Sequence, residues 1–178
     1  MSPLNVAIIW HMHQPDYRDP VSGKSLLPWV FLHAVKDYSE MLRTAEECPD
    51  LRLTFNIVPT LFEQLEAWSA GQTEDLWLEM AKRDPSQMNA QERDFLTENF
   101  FAVSPLRHIA PYPRYAALYE RRMDGDFTDQ DLRDLQVWFL LSWSGHHLRR
   151  EKGIVRELLA KEEGFTEEDK ARLFDLYN

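Results

Sequence analysis

The chain has 178 residues, 44% hydrophobic and 12% aromatic, including six Trp and ten Phe; this suits one globular unit built around rings and excludes a disordered chain. A formal charge of -10 argues against nucleic acid and anionic membranes as partners, since both require clustered Lys and Arg, and favours a neutral ligand. Cys48 is the single cysteine, so no intrachain disulfide can form; with no apolar run near 18 residues and no basic start to the chain, the cytoplasm is the expected compartment.

In chain order, the apolar alternation over residues 4–10 predicts a first strand. Turn formers follow at Asp19-Pro20 and Ser22-Gly23. Pro28 then opens a helix whose apolar positions Phe31, Ala34, Val35, Tyr38, Met41, Leu42 and Ala45 step by three and four, ending near Cys48 before Pro49. Residues 51–58 (LRLTFNIV) predict a second strand. Thr60 and Glu63 have capping-box spacing, which predicts a helix to about Trp68 with Gly71 beyond its end. The same logic places helix starts at Thr73, Asn89, Thr128 and Thr166. The expected fold is therefore α/β and helix-rich, with two parallel strands (about 4–10 and 51–58) and about seven helices, in a single unit over 1–178.

The segment IIWHMHQPDY (8–17) carries the most chemistry. In α/β folds, ligands gather beyond the carboxyl ends of parallel strands, which is where HMHQP lies. Side chains alternate along a strand, so His11 and His13 face one side with Cα atoms roughly 6.6 Å apart. Asn56, near the carboxyl end of the second strand, is placed to join them in one concavity. A neutral imidazole offers one donor and one acceptor, and can meet a sugar hydroxyl in either sense without a fixed charge; Gln14 can do the same, or can serve the Gln-Pro turn. Trp10 points the other way by parity and is expected to pack. Trp138 and Trp143 lie in the apolar stretch VWFLLSW, where core packing is the simpler reading.

The segments HMHQPDY, PWVFLHAVKDYSEML, LRLTFNIVPTLFEQLEAW, DLQVWFLLSW and EGFTEEDKARL, in this order, resemble the amino-terminal part of glycoside hydrolase family 57, which contains α-amylases, 4-α-glucanotransferases, amylopullulanases and branching enzymes. The resemblance touches most of the chain, is weakest over 71–126, and is most specific at His13-Gln14-Pro15. It implies the beginning of an incomplete (β/α)7 barrel and retaining cleavage or transfer of α-glucosidic bonds in an α-glucan or maltooligosaccharide; no cofactor is expected, and no metal, since His33, His108, His146 and His147 lie in predicted helices or loops. It also implies that His11 and His13 line the sugar subsite beside the nucleophile; Gln14, by its amide, and Asn56, by its place on the second strand, are expected to bind substrate with them.

Retaining glycosidases need two carboxyl groups about 5 to 5.5 Å apart. Almost all of the 30 Asp and Glu lie on predicted helix faces or in first turns, and only Asp16 adjoins the histidines. By the resemblance, nucleophile and acid/base belong to strands beyond residue 178. Residues 165–178 follow a helical pattern with no terminating Gly or Pro, and a full α/β barrel takes about 250 residues. The chain is thus expected to be the amino-terminal piece of a larger enzyme, inactive alone, with the rest of the barrel or self-association covering its sheet. Two alternatives stand beside this: a non-catalytic helical binding protein with the same fold, and a metal-dependent hydrolase built on His-x-His.

Overall fold

The structure, a computed structural model, describes Leu4 and residues 6–123 and 125–177. Contacts divide the chain into two compact units, Met1–Leu76 and Trp77–Asn178.

The first unit contains two parallel strands, β1 (Ile9–Met12) and β2 (Thr54–Ile57), paired in the register Ile9↔Thr54, Trp10↔Phe55, His11↔Asn56 and Met12↔Ile57. Flanking bonds from Thr54 N–H to the Ile8 carbonyl and from Val58 N–H to the Met12 carbonyl extend the ladder at both ends. Both strands are shorter than expected. Of the expected 4–10, Asn5 lies outside the described residues, and Val6 and Ile8 are exposed and precede the strand, which begins where β2 supplies a partner and runs on to Met12. Alternation had marked where a strand is tolerated; hydrogen bonding decides where it forms.

Parallel strands need a crossover. Here it is α1 (Trp29–His33), a π-helical turn (Ala34–Tyr38) and α2 (Ser39–Glu47). The expected single helix is therefore interrupted. A π turn carries more residues per turn than an α turn, so the apolar stripe changes direction across it. Leu42, expected on the buried stripe, is 53% exposed, whereas Tyr38 and Met41 pack inward. After β2 comes α3 (Pro59–Ser69), and Gly71, at φ 66°, follows its end as expected. Its start departs from expectation: Val58 caps it without a side-chain bond, Pro59 opens it, and Thr60 is already inside. One core cluster of this unit is Met12, Val30 and Leu61, with Tyr17, Tyr38, Phe55, Leu65 and Trp68 among the half-buried residues around it. Each of the three fully covered side chains contributes about 1.5–3 kcal/mol.

The second unit is helical: α4 (Leu76–Lys82), which straddles the boundary, a 3₁₀ turn (Pro85–Gln87), α5 (Ala90–Asn99), a π turn (Pro105–Ile109), α6 (Pro113–Arg121), α7 (Asp129–Ser142), α8 (His146–Glu151), α9 (Gly153–Lys161), α10 (Glu167–Phe174) and a 3₁₀ turn (Asp175–Tyr177). That makes ten α-helices among the described residues, against the seven expected. Three of the four further expected starts have formed. Asn89 with Glu92, Thr128 with Asp131, and Thr166 with Asp169 each make a complete capping box. Thr73 does not start α4, because Asp75 is drawn into a parallel bridge with Ser25 and the helix begins at Leu76.

Helix α7 is the axis of this unit, buried almost continuously from Asp131 to Ser142. Trp138 is fully buried, stacks on Tyr115 at 5.8 Å, and donates its indole N–H to the Glu162 carbonyl at 2.9 Å. Phe139 stacks on Phe100 at 4.3 Å beside Trp77. Trp138 and Trp143 thus pack in the core as the sequence led us to expect. Asp134, fully buried, is satisfied from three sides, accepting from Arg114, Gln130 and the Phe165 N–H.

Candidate functional site

The site is built at the carboxyl end of β1 and β2. Because His11 pairs with Asn56 in a parallel register, their side chains emerge on the same side, and His11 Nδ1 lies 2.6 Å from Asn56 Oδ1. The amide oxygen can only accept, so Nδ1 carries the proton, and the tautomer that fits this contact leaves Nε2 as an acceptor. His13, two residues on, stacks on His11 with ring centroids 6.0 Å apart and planes 18° from parallel. Met12, between them, points the opposite way and is 4% exposed in the core. Strand parity therefore groups His11, His13 and Asn56 as expected.

The expected concavity does not enclose them. All three are exposed. A groove of about 800 Å³ in this unit is lined instead by Arg18, Ile57, Phe62, Glu63, Glu66 and Gln72, and these lining residues include none of the three. The groove follows α3, whereas the chemistry follows the strand ends. On the histidine face two imidazole rings and an amide lie side by side, with Ile9 exposed on the same side of β1.

Gln14 is differently placed. Its Oε1 accepts from the Tyr17 hydroxyl at 2.6 Å, its Nε2 donates to the Tyr38 hydroxyl at 3.1 Å, and its carbonyl accepts from Thr60 Oγ1 at 2.9 Å. Of the two roles open to Gln14, the structure shows the turn-building one. Burial raises the hydroxyl pKa values of both tyrosines, so they remain neutral partners. Thr60, read from sequence as a helix cap, is spent on this turn. Trp10 meets Phe55 edge-on at 5.4 Å, away from the histidines.

Asp16 is committed to Arg18: its carboxylate receives the Arg18 N–H, Nε and Nη2 at 3.0, 2.9 and 2.7 Å. The Arg18 side-chain hydrogen bonds hold its carboxyl below the usual range, so it stays ionised and is a poor proton donor. The other histidines lie elsewhere in the fold. His33 ends α1, its Nδ1 bonded to Asp37; His108 is in the second π turn; His146 and His147 open α8. Among the described residues no three or more of His, Cys, Asp and Glu are grouped so as to hold a metal ion, and no helix is long and apolar enough to cross a membrane.

One residue escaped the sequence reading altogether. Gln64, 3% exposed on α3, accepts the Tyr17 N–H at 3.2 Å through Oε1 and donates Nε2 to the carbonyls of Pro15 and Thr60, both at 2.9 Å. The available signal was a polar residue on the stripe Leu61, Leu65, Trp68, where an apolar one belongs.

A family model described as glycosyl hydrolase family 57 matches residues 7–177. No curated protein matches the chain, and no solved structure does.

Proposed function

This chain belongs to glycosyl hydrolase family 57, and we propose that it carries part of the substrate site of a retaining α-glucan hydrolase or glucanotransferase of the amylase, 4-α-glucanotransferase or branching-enzyme type. His11, His13 and Asn56 bind sugar hydroxyls, and Gln14 supports them from the turn. The observation that carries this reading is the stacked His11–His13 pair with Asn56 at the carboxyl ends of two parallel strands. Its groups are uncharged donors and acceptors, which suits a neutral polyol.

Binding is as far as these residues go. Retaining cleavage requires one carboxyl group to protonate the leaving oxygen and a second to capture the oxocarbenium-like centre. Imidazole and amide supply neither, and Asp16 is held by Arg18. In this reading the 178 residues form the amino-terminal part of the catalytic barrel; they hold sugar without cleaving it, since affinity needs part of a pocket and catalysis needs the transition-state groups.

Titrating maltotetraose into the ¹⁵N-labelled chain tests this. The His11 and His13 ring signals and the Asn56 side-chain amide are expected to move together, and His13→Ala to abolish the response. A response that His13→Ala leaves intact would refute the assignment. Incubation with maltotetraose, followed by chromatography, is expected to give no product; turnover lost in both His13→Ala and Asp16→Asn would show that a complete active site is present.

A further inference from the structure

We infer that Gln64 is a positioning residue for the strand-end site, acting on sugar binding through the turn that carries His13 and without touching the ligand; the inference rests on the sugar-binding reading above. β1 leaves the sheet at Met12, and the chain beyond it must hold His13 with no strand beside it. Gln64 supplies what the strand would have supplied. In a parallel ladder the N–H of one residue donates to the carbonyl of residue i−1 on the neighbouring strand, and the C=O of that same residue accepts from the N–H of residue i+1. The Gln64 carboxamide does this around residue 16, donating to the Pro15 carbonyl and accepting from the Tyr17 N–H.

Its burial makes the substitution effective. A carboxamide 3% exposed has no water to exchange with, so its bonds are kept and the Pro15 and Tyr17 groups would be orphaned without it. Thr60, one helical turn earlier on α3, holds the Gln14 carbonyl. The segment following His13 is thus tied to one rigid helix at Gln14, Pro15 and Tyr17. An exposed ring on such an anchored turn loses little freedom on binding, which is the gain from preorganisation.

Gln64→Glu gives the discriminating test. A protonated glutamic acid keeps one donor and one acceptor. Ionised, it has acceptors only, turned toward the Pro15 and Thr60 carbonyls. The titratable and charged groups around it are Tyr17, Tyr38, the Asp16–Arg18 pair, Glu63 at 3.8 Å from Arg18, and the site's own His11 and His13. Reading the ratio of variant to parent affinity for maltotetraose at each pH cancels titrations common to both. The ratio is expected to fall about tenfold at neutral pH and to recover as pH drops and the new carboxyl protonates. A ratio of one throughout, or one lowered equally at every pH, overturns the inference.

Should Gln64→Glu fail to fold, Thr60→Val at an exposed position removes the neighbouring tie alone. It is expected to weaken binding about threefold while lowering the thermal midpoint by no more than about 4 °C, in keeping with one lost hydrogen bond; unchanged affinity would count against the inference. Parent binding that His13→Ala does not disturb, or no binding at all, removes the sugar site and the inference with it. Binding that His13→Ala abolishes but that Gln64→Glu and Thr60→Val leave unchanged removes the inference only.

Discussion

The two units use aromatic and polar side chains in opposite ways. In the second, rings are buried and polar groups are internal fixtures: Trp138 and Phe139 are fully covered, and Asp134 is surrounded by donors. In the first, the His11 and His13 rings are exposed at the end of a short sheet, and a buried polar group, Gln64, serves a turn. A side chain that secures a core is held on all sides; one that meets a ligand is held from behind and left open in front. The contrast yields a graded set of expected effects.

The largest is in the second unit. Trp138→Ala removes a fully buried indole and its bond to the Glu162 carbonyl, and is expected to cost about 3–5 kcal/mol by urea denaturation followed by circular dichroism. A cost near that of a surface change would break the contrast.

Asp131 sharpens it through pH. Burial alone would raise its carboxyl pKa, but bonds from Thr128, Arg114 and Arg121 hold it far below the ordinary value of 3.8. The resulting stabilisation is present above that value and is lost as pH falls below it toward the folded value. Asp131→Asn is expected to lower stability by about 1.5–3 kcal/mol at pH 7 and by progressively less from pH 4 downward, narrowing the gap to the parent. A gap independent of pH would assign the loss to packing.

The sheet of the first unit comes next. β1 and β2 form a two-stranded sheet, and Ile9 and Ile57 are 65% and 40% exposed on it, an arrangement that invites pairing with another chain. The isolated chain is expected to self-associate as concentration rises, and Ile9→Lys to reduce this in sedimentation velocity while changing stability by about 0.5 kcal/mol or less. A parent that stays monomeric at high concentration would contradict the view that this sheet needs cover.

The smallest change in stability belongs to the site itself. His11→Ala, on an exposed ring, is expected to shift the denaturation midpoint by about 0.5 kcal/mol or less while removing the maltotetraose response. A loss comparable to Trp138→Ala would make His11 a structural residue.

What could be read from sequence followed range of interaction. Helix starts at Asn89, Thr128 and Thr166 are settled within four residues by their own side chains, and they formed. The parity of His11, Met12 and His13 is equally local, and it held. Thr60 had the same local signature as the other caps and went elsewhere, because Gln14, 46 residues away in sequence, offered its carbonyl. Strand limits depended on the partner strand, the exposure of Leu42 on a π turn with no local signature, and the role of Gln64 on a turn 49 residues earlier. The grouping of His11, His13 and Asn56 was predictable because strand parity needs only direction; the support beneath it was not, because that depends on which distant helix lies behind.

The register of the sheet also sets an order in time. His11 and Asn56 are 45 residues apart, and each hydrogen bond of the ladder requires the intervening loop and helices to be closed first. Closure of so long a segment is entropically costly and is repaid only once the strands meet, so α1 and α3 can form while the histidine face does not yet exist. Until the strands meet, the face that carries His11, His13 and Asn56 is unmade, and a chain that lacks β2 holds the two histidines without the partner that fixes their register.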